Sequence, residues 1–399
     1  MTVFNNRVSC VAAACAFFTI QAFAADPSLT NPAISAVLDG YYQNTERPMA
    51  ERGEGFGLGH TEIAMSASID DMFYGKLTAV IEVHDDDTEL GLEEAFIQTL
   101  AMPWGFSIRG GRFLSDVGYL NNQHVHTDAF TDRPGVYRAF LGSHYFDDGV
   151  RLSYVAPTDL YWTMGVEIFK GDSMRVASDE EHEEHEADSE HDYKNIGIYT
   201  AYTKIGGDIG DGSWQTGFSY MRNENGRMLE SDHEDDEVLA TEEAHEHAAT
   251  FTGENTYIAD VVYKWAPNGN YKYQHLTVSG EYFRVTDFAP LEDDHDHHLA
   301  DSVDDMQGWY LSSVYQFTPN WSAGVRYGET DVQELHEDHF DDQKLKETEV
   351  SLAWHHSHFS TVRLQYTNQK GTNYFGIEDD NVLTLQYVMT LGAHGAHQF

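Results

Sequence analysis

Cysteine is nearly absent from this chain of 399 residues: Cys10 and Cys15 are the only two, and both fall in its first 24 residues. Without that segment no thiol remains, which excludes disulfides, a thiol nucleophile and any Cys-based metal site. Positive charge is scarce as well. Against 67 Asp and Glu stand 23 Lys and Arg, for a net charge of −44, or −45 once Arg7, the one charge in the first 24 residues, is gone. Nucleic acid and anionic lipid are poor partners for such a surface, and divalent cations are good ones. No apolar run is long enough for a membrane-spanning helix; the longest, Val8 to Ile20, falls short. A Gly-x-Ser-x-Gly elbow, a phosphate-binding glycine loop, a His-Glu-x-x-His pair and an EF-hand loop are all missing, so we expect no enzyme and no fixed zinc or calcium motif. No Met-rich tract points to copper(I).

What is present begins with a secretory signal. Arg7 supplies the charge, Val8 to Ile20 the apolar stretch and Ala22-Phe23-Ala24 the cleavage motif, so residues 1–24 are read as a signal peptide and 25–399 as the mature chain. Aromatics make up 13%, including 23 Tyr, too many for a disordered acidic chain. Alternation of period two follows. In 73–84, Phe73, Leu77, Ala79, Ile81 and Val83 fall on one face, with Tyr74, Lys76, Thr78 and Glu82 on the other. Strands are expected near 33–42, 55–69, 73–84, 90–101, 106–112, 147–156, 161–170, 195–205, 213–223, 255–265, 271–283, 307–317, 321–330, 347–356, 361–368 and 381–391. Sixteen strands, with tight connections such as Asp70-Asp71 and Pro319-Asn320 alternating with long ones, predict an all-β fold, a transmembrane antiparallel barrel.

Four tracts of His, Asp and Glu fall on long connections of one parity: Asp179–Asp192, Asp232–His247, Glu292–His298 and Glu334–Asp342. Their candidate ligands are His182, His185, His191, His233, His245, His247, His295, His297, His298, His336 and His339. Imidazole and carboxylate suit borderline divalent ions, zinc first, with Ni²⁺ and Co²⁺ next. On flexible loops such binding is weak and exchangeable, so no tightly bound cofactor is expected. A solvated acidic coat bridged by Mg²⁺ or Ca²⁺ is the plainer reading, but carboxylates alone would serve it. The connection from Phe113 to Asp147 is the longest neutral one and the third of its parity. It holds His124, His126, Asp128, Asp132, Arg133, Arg138 and His144, with Arg109, Arg112 and Arg151 beside it. These are candidate constriction residues: His124 and His126 as an ion pair-site or as partners of Asp128 and Asp132, the arginines as a transverse field or an anion selector. His394 and His397, near the end of the chain, are read as structural.

Gly57-Leu58-Gly59-His60, Ile69 through Gly75, Asp132-Arg133-Pro134 and the ending from Leu385 to Phe399 give the chain a resemblance to phosphate-selective-porin-like outer-membrane proteins. It is most similar to a subgroup with His/Asp-rich loops described as zinc-responsive and often labelled TonB-dependent receptors. The resemblance covers nearly all of the mature chain and implies a porin-like barrel in the Gram-negative outer membrane. It also implies contact with lipopolysaccharide, assembly by the barrel-assembly machinery through the terminal Phe399, and a homotrimer. A plug domain would need far more than the eight or so residues ahead of the first strand, so none is expected. The function expected is a channel that gathers divalent metal ions on its loops and lets them diffuse inward. An anion porin of the phosphate type and a non-conducting surface metal-binding protein are the alternatives.

Overall fold

The computed structural model describes residues 32–47, 49–84, 87–174, 194–226, 251–287, 305–336, 339–372 and 380–392. Its strands are β1 (Ala33–Gln43), β2 (Gly55–Leu58), β3 (Thr61–Ser68), β4 (Phe73–His84), β5 (Asp87–Thr99), β6 (Phe106–Leu114), β7 (Phe146–Val155), β8 (Tyr161–Phe169) and β9 (Ile198–Ile209). The series continues with β10 (Gly212–Asn223), β11 (Asn255–Trp265), β12 (His275–Thr286), β13 (Met306–Thr318), β14 (Trp321–His336), β15 (His339–Ser357), β16 (Ser360–Thr372) and β17 (Asp380–Gly392). Both β2 and β3 ladder onto β1, so they are two pieces of one stave, interrupted at Gly59 and His60. Each stave pairs antiparallel with the next, and β17 returns to β1 with Ala36 opposite Leu391. The result is a closed barrel of sixteen staves with no free sheet edge.

Alternation sets which side chains face in. Along β17, Leu383, Leu385 and Tyr387 are exposed while Thr384 and Gln386 are buried. In β14, Val325 is exposed and its neighbour Arg326 buried. An apolar outer belt over a polar interior is the arrangement lipid demands of a barrel. One rim carries tight turns. Asp70 shapes one of them, its Oδ1 accepting the Met72 and Phe73 N–H groups at 2.8 Å each. The other rim carries the long connections. The expected boundaries hold within a few residues except at β14 and β15, which run on to His336 and His339 as one long hairpin. The tract Glu334–Asp342 is therefore not a free loop: its backbone is laddered, with Glu334 opposite Asp341 and His336 opposite His339.

The third long connection folds into the barrel. It contains one helix, α1 (Gly135–Leu141), all of whose residues are buried, ended by Gly142 in the left-handed region. Tyr137, Phe140 and Leu141 join Phe283, Met306 and Leu345 of the wall in an apolar core, each worth about 2 kcal/mol of burial. The connection is also held by charge. Asp132 accepts from Arg47 (2.8 Å) and Arg52 (2.9 Å), both from the first long connection, and Arg138 bonds Glu347 at 2.7 Å. Burial pushes the Asp132 carboxyl up, but the guanidiniums of Arg52, Arg47 and Arg138 outweigh it and hold it well below the carboxylate range. The connection is thus anchored by apolar packing and by ion pairs, both of which reach β15.

Candidate metal centre

Between the inward connection and the wall of β2 to β5 lies a group of imidazoles and carboxylates. His60 stands at the break between β2 and β3, and Glu62 follows two residues later on the same inner face. Glu93 and Glu94 are neighbours in β5, and ordinary alternation would turn one of them outward. A register shift against Thr78 and Ala79 of β4 bulges the strand, and both are buried inside, 2% and 3% exposed. His124 precedes and His126 sits within a short 3₁₀ turn (Val125–Thr127) in the inward connection, and His144 lies near the end of that connection.

Four of these side chains, His60, Glu62, Glu93 and His124, place one ligand atom each within 4.8 Å of all the others. With Glu93 offering both its oxygens, four contacts within that group are short. His60 Nε2 lies 3.6 Å from Glu62 Oε2 and 3.5 Å from Glu93 Oε1; His124 Nδ1 lies 3.1 Å from Glu62 Oε2 and 3.2 Å from Glu93 Oε2. A tetrahedral zinc with bonds of about 2.1 Å would set its ligands about 3.4 Å apart. Those contacts bracket that value. All five atoms are buried, and their nearest polar partners are one another and the His144 ring. Buried imidazoles and carboxylates that converge in this way suit a shared cation.

The surrounding groups would orient such a set. His126 Nδ1 is 3.0 Å from Glu62 Oε1, and His144 Nε2 is 2.9 Å from Glu93 Oε1. Behind His124, Nε2 lies 3.1 Å from Glu94 Oε2 and 2.7 Å from Lys76 Nζ, while Lys76 also pairs with Glu94. A carboxylate behind a ligating imidazole fixes its ring and raises its basicity. Burial works against charge on His124, but Glu62, Glu93 and Glu94 outweigh it and hold this imidazole well above its ordinary value. Three carboxylates and one lysine in direct contact leave two negative charges when the imidazoles are neutral. A divalent ion balances them.

His124 and His126, expected at the constriction, are thus brought together with His144. Asp128 and Asp132 are not their partners: Asp128 takes Arg133 at 2.8 Å, and Asp132 takes Arg47 and Arg52. Arg109 is hydrogen-bonded to Gln98 and lies over Phe96; Arg151 pairs with Glu167. Arg112 is a correction. It is part-exposed on the face of β6 opposite the buried Phe113 and bonds the more exposed Asp148, so it does not line the constriction. Of the loop histidines, His182, His185, His191, His233, His245, His247, His295, His297 and His298 lie outside the described residues, as do the signal segment, His394, His397 and Phe399. Sequence reasoning missed Glu62, Glu93 and Glu94 as ligands, and it weighed His60 only within a motif. The adjacent Glu93-Glu94 pair in a strand of alternating pattern was the available signal.

No protein-family model matches the chain. An uncharacterized protein of Aquifex aeolicus (strain VF5) is 28% identical over 388 residues, 94% of this chain and 76% of that protein. Among solved structures, the chain is similar to the in-vitro folded outer membrane protein OmpT of Vibrio cholerae in its trimer form (TM-score 0.52, 10% identity, 90% of this chain and 99% of that one). The outer membrane channel DcaP of Acinetobacter baumannii matches at 0.51 and 12% identity, over 90% of this chain and 96% of that one. An anion-selective porin from Comamonas acidovorans matches at 0.52 and 10%, over 90% and 99%. At these identities the likeness establishes a porin-like barrel fold.

Proposed function

We propose that the protein is a porin-like channel of the Gram-negative outer membrane that passes divalent metal ions, zinc foremost, by way of the His/Glu centre. The observation that carries this reading is the buried quartet His60, Glu62, Glu93 and His124, whose imidazole and carboxylate ligand atoms converge at spacings that suit a divalent ion. The acidic His-rich tracts at the long rim would concentrate ions, and the centre would be the one selective step. A trimer fits this reading, since OmpT of Vibrio cholerae is described in a trimer form. The zinc-responsive subgroup that the sequence resembles fits the same chemistry. The anion-porin alternative has less behind it, because Arg133, Arg138 and Arg151 are already paired with carboxylates.

Single-channel recording on refolded protein, with micromolar Zn²⁺ added to the long-loop side, tests the proposal. Cation-selective current that Zn²⁺ modulates, and that loses this response in His124→Ala, is expected. Anion selectivity with saturation by phosphate would sink it. Ion binding must also compete with protons. Because His124 is held in its protonated form to higher pH than a free imidazole, uptake of zinc near pH 7 releases protons. Calorimetry in buffers of different ionisation enthalpy should show that release, with zinc affinity falling steadily as pH drops through about 6.5 and below.

A further inference from the structure

Lys76 stands apart in the centre as a fixed cation beside a site built for one. Its Nζ is 2.7 Å from His124 Nε2 and paired with Glu94, which puts an ammonium against the back of a ligating ring. Its position along the barrel is informative. Lys76 and Thr78 face inward on β4, and Thr78 lies opposite Glu94, while Glu62 is opposite Val80. Because β4 rises from the tight turn at Asp70, Lys76 is about 7 Å nearer the short-turn rim than the level of Glu94. Its side chain is 22% exposed, against 5% for Glu62, 2% for Glu93 and 5% for Glu94. The carboxylates are sealed, and the lysine looks out on the short-turn side.

We infer that Lys76 is the specificity- and release-setting residue of this centre: a tethered cation that competes with the bound ion and keeps its affinity low enough for onward passage. The inference rests on the metal-channel reading. An ion on His124 Nδ1 favours a proton on Nε2 directed to Glu94, which breaks the Lys76 contact and turns the ammonium toward the lumen. Return of the ammonium to Glu94 and His124 opposes the ion by like charge. Without Lys76 the group would hold three uncompensated carboxylate charges and behave as a trap. Conduction requires sites that bind and let go.

The test uses full-length protein in which the eleven histidines of the rim tracts are replaced by Gln, so that the centre alone reports. Zinc affinity is measured against a competing chelator dye, and flux by an indicator inside proteoliposomes. Lys76→Met is expected to bind zinc roughly ten-fold tighter or more and to pass it more slowly, while Lys76→Arg stays near the parent. Unchanged or weaker binding in Lys76→Met, with the parent's His124-dependent binding intact, overturns this role for Lys76 alone. A parent that shows no His124-dependent binding overturns the centre and, with it, this role. If Lys76→Met fails to fold, as judged by heat modifiability on gels, Lys76→Gln takes its place and the same outcomes decide.

Discussion

Replacing Asp132 with asparagine is expected to loosen the inward connection and raise single-channel conductance several-fold. Asp132 joins two guanidiniums that arrive from the first long connection, Arg47 and Arg52, and all three side chains are almost fully buried. Asparagine keeps the shape and removes the charge. Arg47 would retain Glu347 and Glu349, and Arg52 would retain Asp39, but two buried cations would then share one fewer anion. Breaking a buried pair of this kind costs about 3–5 kcal/mol. The apolar side, around Phe140 and Leu141, stays packed, so the barrel survives while one edge of the connection comes free. The linkage has a definite sign. A carboxyl held below its unfolded value contributes stability that is present above about pH 4 and is lost only as pH falls through its depressed folded value. The native clamp therefore persists through mild acid, and the asparagine variant behaves as if already acidified. Thermal unfolding and conductance at pH 7, both indistinguishable from the parent, would refute the clamp.

Loss of His60 and His124 together is expected to abolish zinc binding at the centre. Each supplies one nitrogen of the convergent quartet, and the two remaining carboxylates offer no imidazole within the set. Relative to the parent with its rim histidines replaced, affinity should fall by roughly 100-fold or more, beyond what an orienting partner contributes. Glu94→Gln is the graded control. Of the quartet it touches only the far nitrogen of His124, its other partners being Lys76 and Thr78, so a smaller loss of about ten-fold is expected. Equal effects from the double variant and from Glu94→Gln would mean that the quartet does not bind the ion directly. Selective retention of the apolar core in both variants can be verified by their unfolding midpoints, because neither change touches α1.

The barrel was legible because its signal is repeated. Sixteen alternating segments, separated by turns and long connections of strict parity, leave few other ways to bury apolar faces. The third connection was marked as the candidate constriction by its place in the strand count. Its contents were less legible. His124 and His126 stand two apart in sequence, which suggested each other and the nearby Asp128 and Asp132 as partners. Those aspartates are instead taken by Arg133, Arg47 and Arg52. Local spacing cannot reveal that guanidiniums 80 and 85 residues away claim Asp132, nor that Arg133 rather than a histidine takes Asp128. Glu62, Glu93 and Glu94 were not singled out, since a strand pattern does not announce where a bulge will turn two neighbours inward. The extension of β14 to His336 and of β15 back to His339 was hidden by charges that resemble those of a loop.

The bulge in β5 also bears on how such a protein can change. Every proposed ligand and orienting group, from His60 to His144, belongs to one unbroken stretch of the chain, whereas the cations and anions that brace the inward connection come from both ends of it, Arg47 and Arg52 on one side and Glu347, Glu349 and Arg363 on the other. Chemistry and bracing are thus encoded separately. Residues 60–144 form a cassette whose ion preference could be rewritten, by recombination or by design, while the frame that receives it stays as it is.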